Sequence, residues 1–281
     1  MRIGPMEWKN VYKGMLMGIT ELIPGVSAGT IAVMLGIYDR LVMAISGFFS
    51  REWKRHLVFL VPIGIGMGVA LILFSRLITY LLSEHYVATM FFFTGLIVGI
   101  IPSIARQAEV KRNFGISHYV IVFIGIGLAA SMAFFSSDET ASPVTSIHLT
   151  EGIGYFFAGG LASMAMLLPG ISGSFVLLVI GVYPTATHAL ATFNIPIILA
   201  IGSGVIVGFI LTSKLIRYFL DRYTTVMYAI ILGMISGSIA VIFPGLPDST
   251  PLFIVSAITF LSGLSLTFLL SMKRPHLTEK A

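Results

Sequence analysis

The chain has 281 residues, 57% of them hydrophobic and only 10% charged, with a mean hydropathy of +0.98. One soluble core cannot hide that much apolar surface, so composition excludes a soluble globular protein and assigns a polytopic membrane protein. The formal charge of +5 is no sign of nucleic acid, because lysine and arginine sit in short segments between apolar spans, and the absence of cysteine excludes disulfides, thiolate nucleophiles and Cys-ligated metal. The six histidines, His56, His85, His118, His148, His188 and His276, never stand at i,i+3 or i,i+4, so no metal site is expected.

In chain order, Tyr12 to Ile23 reads as a half-helix, Pro24 to Gly29 as a break, and Ser27 to Ser46 as the returning half, with Ser27 placed to cap it. A proline followed by glycine and a hydroxyl ends one helix and opens another, so 12–46 reads as a re-entrant hairpin. Val26-Ser27-Ala28 also imitates a signal-peptide cleavage site, a reading rejected because Pro-Gly-x-Ser returns in mid-chain at Pro169. Arg51 to Arg55 form a polar connection, and Trp8 and Trp53 are candidate interfacial anchors. Spans follow at Leu57 to Leu82, Val87 to Ala105 and Tyr119 to Phe135. A polar linker, 137–151, separates this first half, 12–136, from a second, 152–272. There a hairpin at 152–182 breaks at Pro169 to Gly173, and spans follow at Ile195 to Phe219, Thr225 to Phe243 and Leu252 to Met272, with a short polar tail at 273–281.

The halves repeat. At an offset of 145, Gly14, Leu22, Pro24, Gly25, Ser27, Gly36 and Tyr38 meet Gly159, Leu167, Pro169, Gly170, Ser172, Gly181 and Tyr183. Past the hairpin the offset is 138: Gly64, Gly66, Gly95 and Gly99 meet Gly202, Gly204, Gly233 and Gly237, and Ser75-Arg76 meets Ser213-Lys214. The first half holds seven more residues around Arg51 to His56. Three crossings plus a hairpin that enters and leaves by one face make the halves antiparallel. The expected fold is an all-α polytopic membrane protein with an inverted-topology repeat, each half one re-entrant helical hairpin plus three transmembrane helices, in a single membrane domain over 1–281. Of the 17 lysines and arginines, only Arg76 then falls on the opposite side from the rest, which by the positive-inside rule makes both termini cytoplasmic.

Glu21 stands immediately before the first break, where Met166 occupies the matching position in the second half. A carboxylate in an apolar hairpin is costly and marks a group that binds substrate or carries a proton; the structural alternative is that it caps backbone amides of the returning half-helix. Ser27, Thr30, Ser172 and Ser174 fall where exposed amides and the positive ends of half-helices converge, an arrangement that holds an anion. Gly25, Gly29, Gly170 and Gly173, beside Pro24 and Pro169, let backbone approach a ligand. The rival account is a kinked helix whose hydroxyls satisfy freed backbone groups, and the symmetric pairing of two breaks weakens it. Arg76 and Lys214, matched in the repeat, either snorkel or greet an anionic headgroup. Tyr38 and Tyr183 read as packing or interfacial residues, and the two Gly-x-x-x-Gly pairs as close helix packing. No Ser-His-Asp set, carboxylate pair or Walker loop is visible, so no cofactor is expected.

The run Gly18-Ile19-Thr20-Glu21-Leu22-Ile23-Pro24-Gly25-Val26-Ser27-Ala28-Gly29-Thr30, with Gly36-Ile37-Tyr38 and Leu168-Pro169-Gly170-Ile171-Ser172-Gly173-Ser174, resembles the bacterial PopT family of polyprenyl-phosphate translocases over nearly the whole chain. The resemblance implies a flippase of the bacterial plasma membrane that carries undecaprenyl phosphate between leaflets, recycling the carrier lipid for cell-wall synthesis. The implied partner is the polyprenyl phosphate lipid; a homo-oligomer is compatible with this, and nucleic acid is not a partner. The same segments are more distantly similar to membrane undecaprenyl pyrophosphate phosphatases. Glu21 and Ser27 match their first hairpin, but Met17, Thr30 and Gly173 stand where those enzymes carry an acid, a histidine and an arginine. That design needs the histidine and arginine to attack and stabilise the transferred phosphoryl group, so the cradle is kept without the hydrolytic machinery. A lipid pyrophosphatase and a secondary transporter of a small soluble anion are the remaining alternatives.

Overall fold

A computed structural model describes residues 5–23, 25–48, 50–134, 144 and 149–272. The tail 273–281 and most of the linker 137–151 lie outside the described residues. The regular structure described is helical, as it must be where no water reaches the backbone and each amide needs a partner within its own segment. The first half comprises α1 (Asn10–Glu21), α2 (Ala28–Met34), α3 (Tyr38–Gly47), α4 (Trp53–Glu84), α5 (Tyr86–Gln107), the short α6 (Val110–Asn113) and α7 (Ile116–Ser131). The second comprises α8 (Leu149–Leu167), α9 (Gly173–Val179), α10 (Tyr183–Ala191), α11 (Ile195–Arg222), α12 (Thr224–Ile242) and α13 (Thr250–Met272). Among the described residues six helices, α4, α5, α7, α11, α12 and α13, are long and apolar enough to cross a membrane, and they coincide with the six spans read from the sequence.

The returning halves differ from the sequence reading. Ser27 to Ser46 is not one helix: α2 stops and α3 starts afresh after a turn at Gly36, φ +69°. The second hairpin likewise does not end at 182, because α10 follows α9 with a bend of 112° at Gly181, φ +77°. Both turns have the same physical cause. Gly36 N–H donates to Val33 and Ile37 N–H to Ala32, and Gly181 and Val182 donate to Leu178 and Leu177 in the same pattern, so each short helix is closed by a left-handed glycine that satisfies its last carbonyls. The seven extra residues of the first half go largely into an added first turn of α4, Trp53 to His56, relative to the start of α11.

Glycine sets how the long helices pair. α1 lies on α4 and α8 on α11, and a Cβ added at Gly14, Gly66, Gly159 or Gly204 would overlap the carbonyl oxygen of Ile63, Val11, Ile201 or Phe156 respectively. α5 lies on α13 and α12 on α7 in the same way, with Gly95 against Phe260 and Gly233 against Val122. Small residues permit such approach where lipid gives no hydrophobic push between helices. The partners themselves obey the repeat: Val11 and Phe156 differ by 145, Ile63 and Ile201 by 138, Val122 and Phe260 by 138. The sequence correspondence therefore recurs as a correspondence of contacts and reaches the third spans, which are exchanged, α13 covering α5 and α7 covering α12. It fails among the short helices, where α2 packs on α5 and α13 without matching packing of α9 on α12 and α7. α3 packs along α11, whereas α10 does not pack along α4 in the same way.

Ahead of α1, Glu7 receives both guanidinium nitrogens of Arg40 on α3, Nη1 at 2.9 Å, and the Asn10 amide at 2.9 Å, while Arg40 lies over the Phe59 ring of α4. Partial burial raises the carboxyl, but the bonds from Arg40 and Asn10 outweigh it and hold Glu7 below the ordinary carboxylate range. A lowered folded pKa contributes stability that is present above the unfolded value of ~4.3 and is lost as pH falls through the folded one. Glu7→Gln is expected to lower the melting temperature slightly at pH 7, by the equivalent of less than about 1 kcal/mol for so exposed a pair. The two proteins should melt together once the pH lies below the folded value, which thermal unfolding in detergent across an acid series would read.

Candidate functional site

The two chain breaks meet inside the bundle. In the first, α1 ends at Glu21, Gly25 turns the chain at φ +83°, and Ser27 opens α2 by accepting Gly29 N–H at 3.2 Å, the cap expected from the sequence. In the second, Gly170 turns at φ +94° ahead of α9, but Ser172 offers no such cap; its hydroxyl lies 2.8 Å from that of Ser174. Thr30 Oγ1 accepts the backbone N–H of Gly170 at 2.9 Å, and Tyr38 donates its hydroxyl to the Leu167 carbonyl at 2.9 Å, so the first hairpin holds the second at two buried points. A Cβ at Gly29 would lie 3.4 Å from both the Met166 oxygen and the Pro169 nitrogen, another measure of how closely the tips approach. α12 backs both. A Cβ at Gly25 would come within 2.9 Å of Ile242, and one at Gly170 within 2.5 Å of the Met234 carbonyl group.

Ser27, Gly29, Thr30, Pro169, Gly170, Ser172 and Gly173 are buried and Ser174 is half-buried, so the structure gathers these candidates at the tips; Pro24 lies outside the described residues. Glu21 is half-buried and its Oε1 accepts Ala28 N–H at 3.0 Å, which is the capping alternative weighed for it above. Position 166 is its counterpart: the Met166 side chain lies where a Cβ on Gly173 would fall, and Gly173 corresponds to Ala28. A carboxyl oxygen thus sits at the start of α2, and a thioether at the start of α9. The amides of Ala28, Gly29 and Gly170 are held by Glu21, Ser27 and Thr30, so the tips are satisfied by the chain's own oxygens and are built to face oxygen.

Arg76 and Lys214 are not part of this cluster. Arg76 is exposed on α4 and makes no hydrogen bond or ion pair among the described residues. Lys214 is exposed on α11, where it lines a surface cavity with Ser46, Arg217, Tyr218 and Asp221. Among the described residues no group of three or more His, Asp or Glu could hold a metal. Tyr38 is the residue that sequence reasoning undervalued: 4% exposed and bonded across the tips, it is more than packing, while its counterpart Tyr183 is 39% exposed. Its signal was present in the pairing of glycine two residues before tyrosine in both halves.

A family model described as VCA0040-like, undecaprenyl phosphate translocase-like, matches residues 17–251. A protein of Staphylococcus aureus (strain NCTC 8325 / PS 47) named polyprenyl-phosphate transporter is 43% identical over 98% of each chain. One of Vibrio cholerae serotype O1 (strain ATCC 39315 / El Tor Inaba N16961) with the same name is 32% identical over 85% of this chain and 79% of its own. No solved structure matches.

Proposed function

The chain belongs to the undecaprenyl phosphate translocase-like family, and we propose that it is a carrier moving a polyprenyl phosphate, undecaprenyl phosphate first among them, across the bacterial plasma membrane without covalent chemistry. One observation carries this: two broken hairpins bonded tip to tip, in a chain similar along its whole length to a polyprenyl-phosphate transporter. The lipid would be returned for reuse in cell-wall synthesis. Both termini are read as cytoplasmic, with the two halves inverted about the membrane plane; the matched glycine contacts of α1 with α4 and α8 with α11 support that reading.

The chemistry follows from the headgroup. A phosphate monoester carries roughly −1.5 to −2 charges at neutral pH, and burying it without partners is prohibitive. Ser27, Thr30, Ser172 and Ser174, with the amides at Gly25, Gly29, Gly170 and Gly173 in the Pro24 and Pro169 segments, replace its water while the polyprenyl tail stays in lipid. Arg76 and Lys214 are the cations it meets at either face. Glu21 now occupies the amide that a phosphate oxygen would take, so headgroup and carboxylate compete for it. The break in symmetry supplies the motion: α3 docked on α11 closes one face, and the converse state docks α10 on α4 and brings Tyr183 to the Leu22 carbonyl.

A phosphatase reading is weakened by the residues standing in for its machinery. Thr30 spends its hydroxyl oxygen on Gly170, and the space at Gly173 that an arginine would need is filled by Met166. The carrier reading is tested in proteoliposomes loaded with polyprenyl phosphate on one leaflet; translocation no faster than in protein-free vesicles would overturn it, and release of inorganic phosphate from the pyrophosphate would favour the enzyme. In the same assay wild-type transport should slow as pH rises and Glu21 ionises against the headgroup. Glu21→Gln keeps an oxygen for Ala28 but no charge, so its rate should fall less steeply with pH and keep only the dependence set by the headgroup's own second ionisation; equal pH profiles would remove Glu21 from the mechanism.

A further inference from the structure

The α3–α11 junction holds a cluster that the tip mechanism does not use. A surface cavity of about 320 Å³ is lined by Ser46, Lys214, Arg217, Tyr218 and Asp221. It contains two cations and one carboxylate, so one positive charge is left over. Neither cation is tightly engaged. Arg217 Nε stands 3.6 Å from Asp221, its Nη1 donates to Ser46 Oγ at a long 3.4 Å, and Lys214 has no hydrogen bond or ion pair among the described residues. Charge-assisted bonds of this type close to about 2.7–2.9 Å when satisfied, so the donors are under-used as they stand.

Position matters as much as charge. Lys214 lies eight residues before the end of α11 at Arg222, about 12 Å along the helix, and the neighbouring Leu211, Leu215 and Tyr218 are exposed apolar or amphipathic side chains. A group arriving from the bilayer can therefore reach the cavity with a hydrocarbon tail still in lipid. Cations that only snorkel point singly to water, whereas here two cations, a hydroxyl and a tyrosine converge on one space. The repeat sharpens the point. Arg76 matches Lys214, but Thr79, Ser83 and Ala191 stand where Arg217, Asp221 and Ser46 would be needed, so only one face of the protein has the cluster.

Resting on the carrier reading, we propose that this cavity is a second site for the lipid's phosphate monoester, apart from the hairpin tips, held by Lys214 and Arg217 of α11. A dianionic headgroup satisfies both cations and displaces Arg217 from Ser46 and Asp221. Since the Arg217–Ser46 bond helps tie α3 to α11, occupancy of the site loosens the docked position of α3. The cluster is thus a waiting position on the α3 side that releases the closed face when filled.

Native mass spectrometry of the full chain in phosphatidylcholine nanodiscs, titrated with a polyprenyl phosphate, tests this by counting lipids. The wild type should retain two per chain, and Lys214→Gln with Arg217→Gln should retain one, with each single variant weakening the second equivalent about tenfold. Asp221→Asn removes the competing carboxylate and should tighten that equivalent, a change of opposite sign that a merely structural role would not produce. Lys111→Gln, remote on α6, should bind as the wild type does. Phosphatidylglycerol, a diester, and inorganic phosphate, which lacks the tail, should each fail to displace the second lipid at equal concentration; displacement by either would overturn the site as one for a lipid monoester. Two lipids on the double variant, or only one on the wild type, would overturn the second site and leave the carrier reading standing. No lipid on the wild type would overturn both.

Discussion

Gly170→Ala is expected to abolish lipid-phosphate transport and most of the folded protein with it. Residue 170 sits at φ +94°, where a side chain costs about 1–2 kcal/mol, and its Cβ would lie 2.5 Å from the Met234 carbonyl carbon and oxygen, backbone atoms of α12 that cannot rotate away. Adding a typical overpacking cost gives roughly 2–5 kcal/mol, a large share of the ~5–15 kcal/mol that holds an ordinary domain. Gly181→Ala separates the two causes. Its φ of +77° is similarly left-handed, yet nothing lies within 4 Å of the added carbon, so it should cost only about 1 kcal/mol and leave most transport intact. Yield of monodisperse protein on size exclusion, with transport per folded molecule, distinguishes them; equal losses would mean that α12 does not press on the second tip.

Thr30→Val should leave the fold assembled and cut transport by at least tenfold. Valine matches threonine in shape but strands the buried Gly170 N–H, at a cost of about 1–3 kcal/mol borne where the two hairpins meet. Thr30→Ser retains the oxygen and should keep most of the activity. The measurement is the initial rate of headgroup appearance at the opposite leaflet, alongside a melting curve to establish that each variant is folded. Wild-type rates for Thr30→Val would show that the interlock is not used in the cycle.

Much of this was legible because membrane insertion leaves so few options. Long apolar runs must be helices, and the six crossings and both breaks could be placed from residue type alone. The matched glycines announced close approaches, although which carbonyl each would meet depends on helix rotation and needed coordinates. Gly36 and Gly181 were visible as repeat markers, yet their role as helix terminators was masked by apolar residues that continue on both sides. Glu21 shows the limit most clearly. Its cost in an apolar hairpin was evident, but whether its carboxylate faced a ligand or the Ala28 amide depends on the turn at Gly25, a matter of a few ångströms that spacing cannot resolve. The bond from Thr30 to Gly170 spans 140 residues and has no local signature at all.

The exchange of third spans has a consequence for how the chain is made. α5 emerges early, but the surface presented by its Gly95 is covered by α13, the last helix described, while α7 waits for α12. α1 can cover the glycine face of α4 within the first half, but α5 and α7 must stand in lipid with theirs bare until α12 and α13 emerge. Joining of the halves is therefore a late event: loss of α13 alone would leave the first half as unfinished as the second.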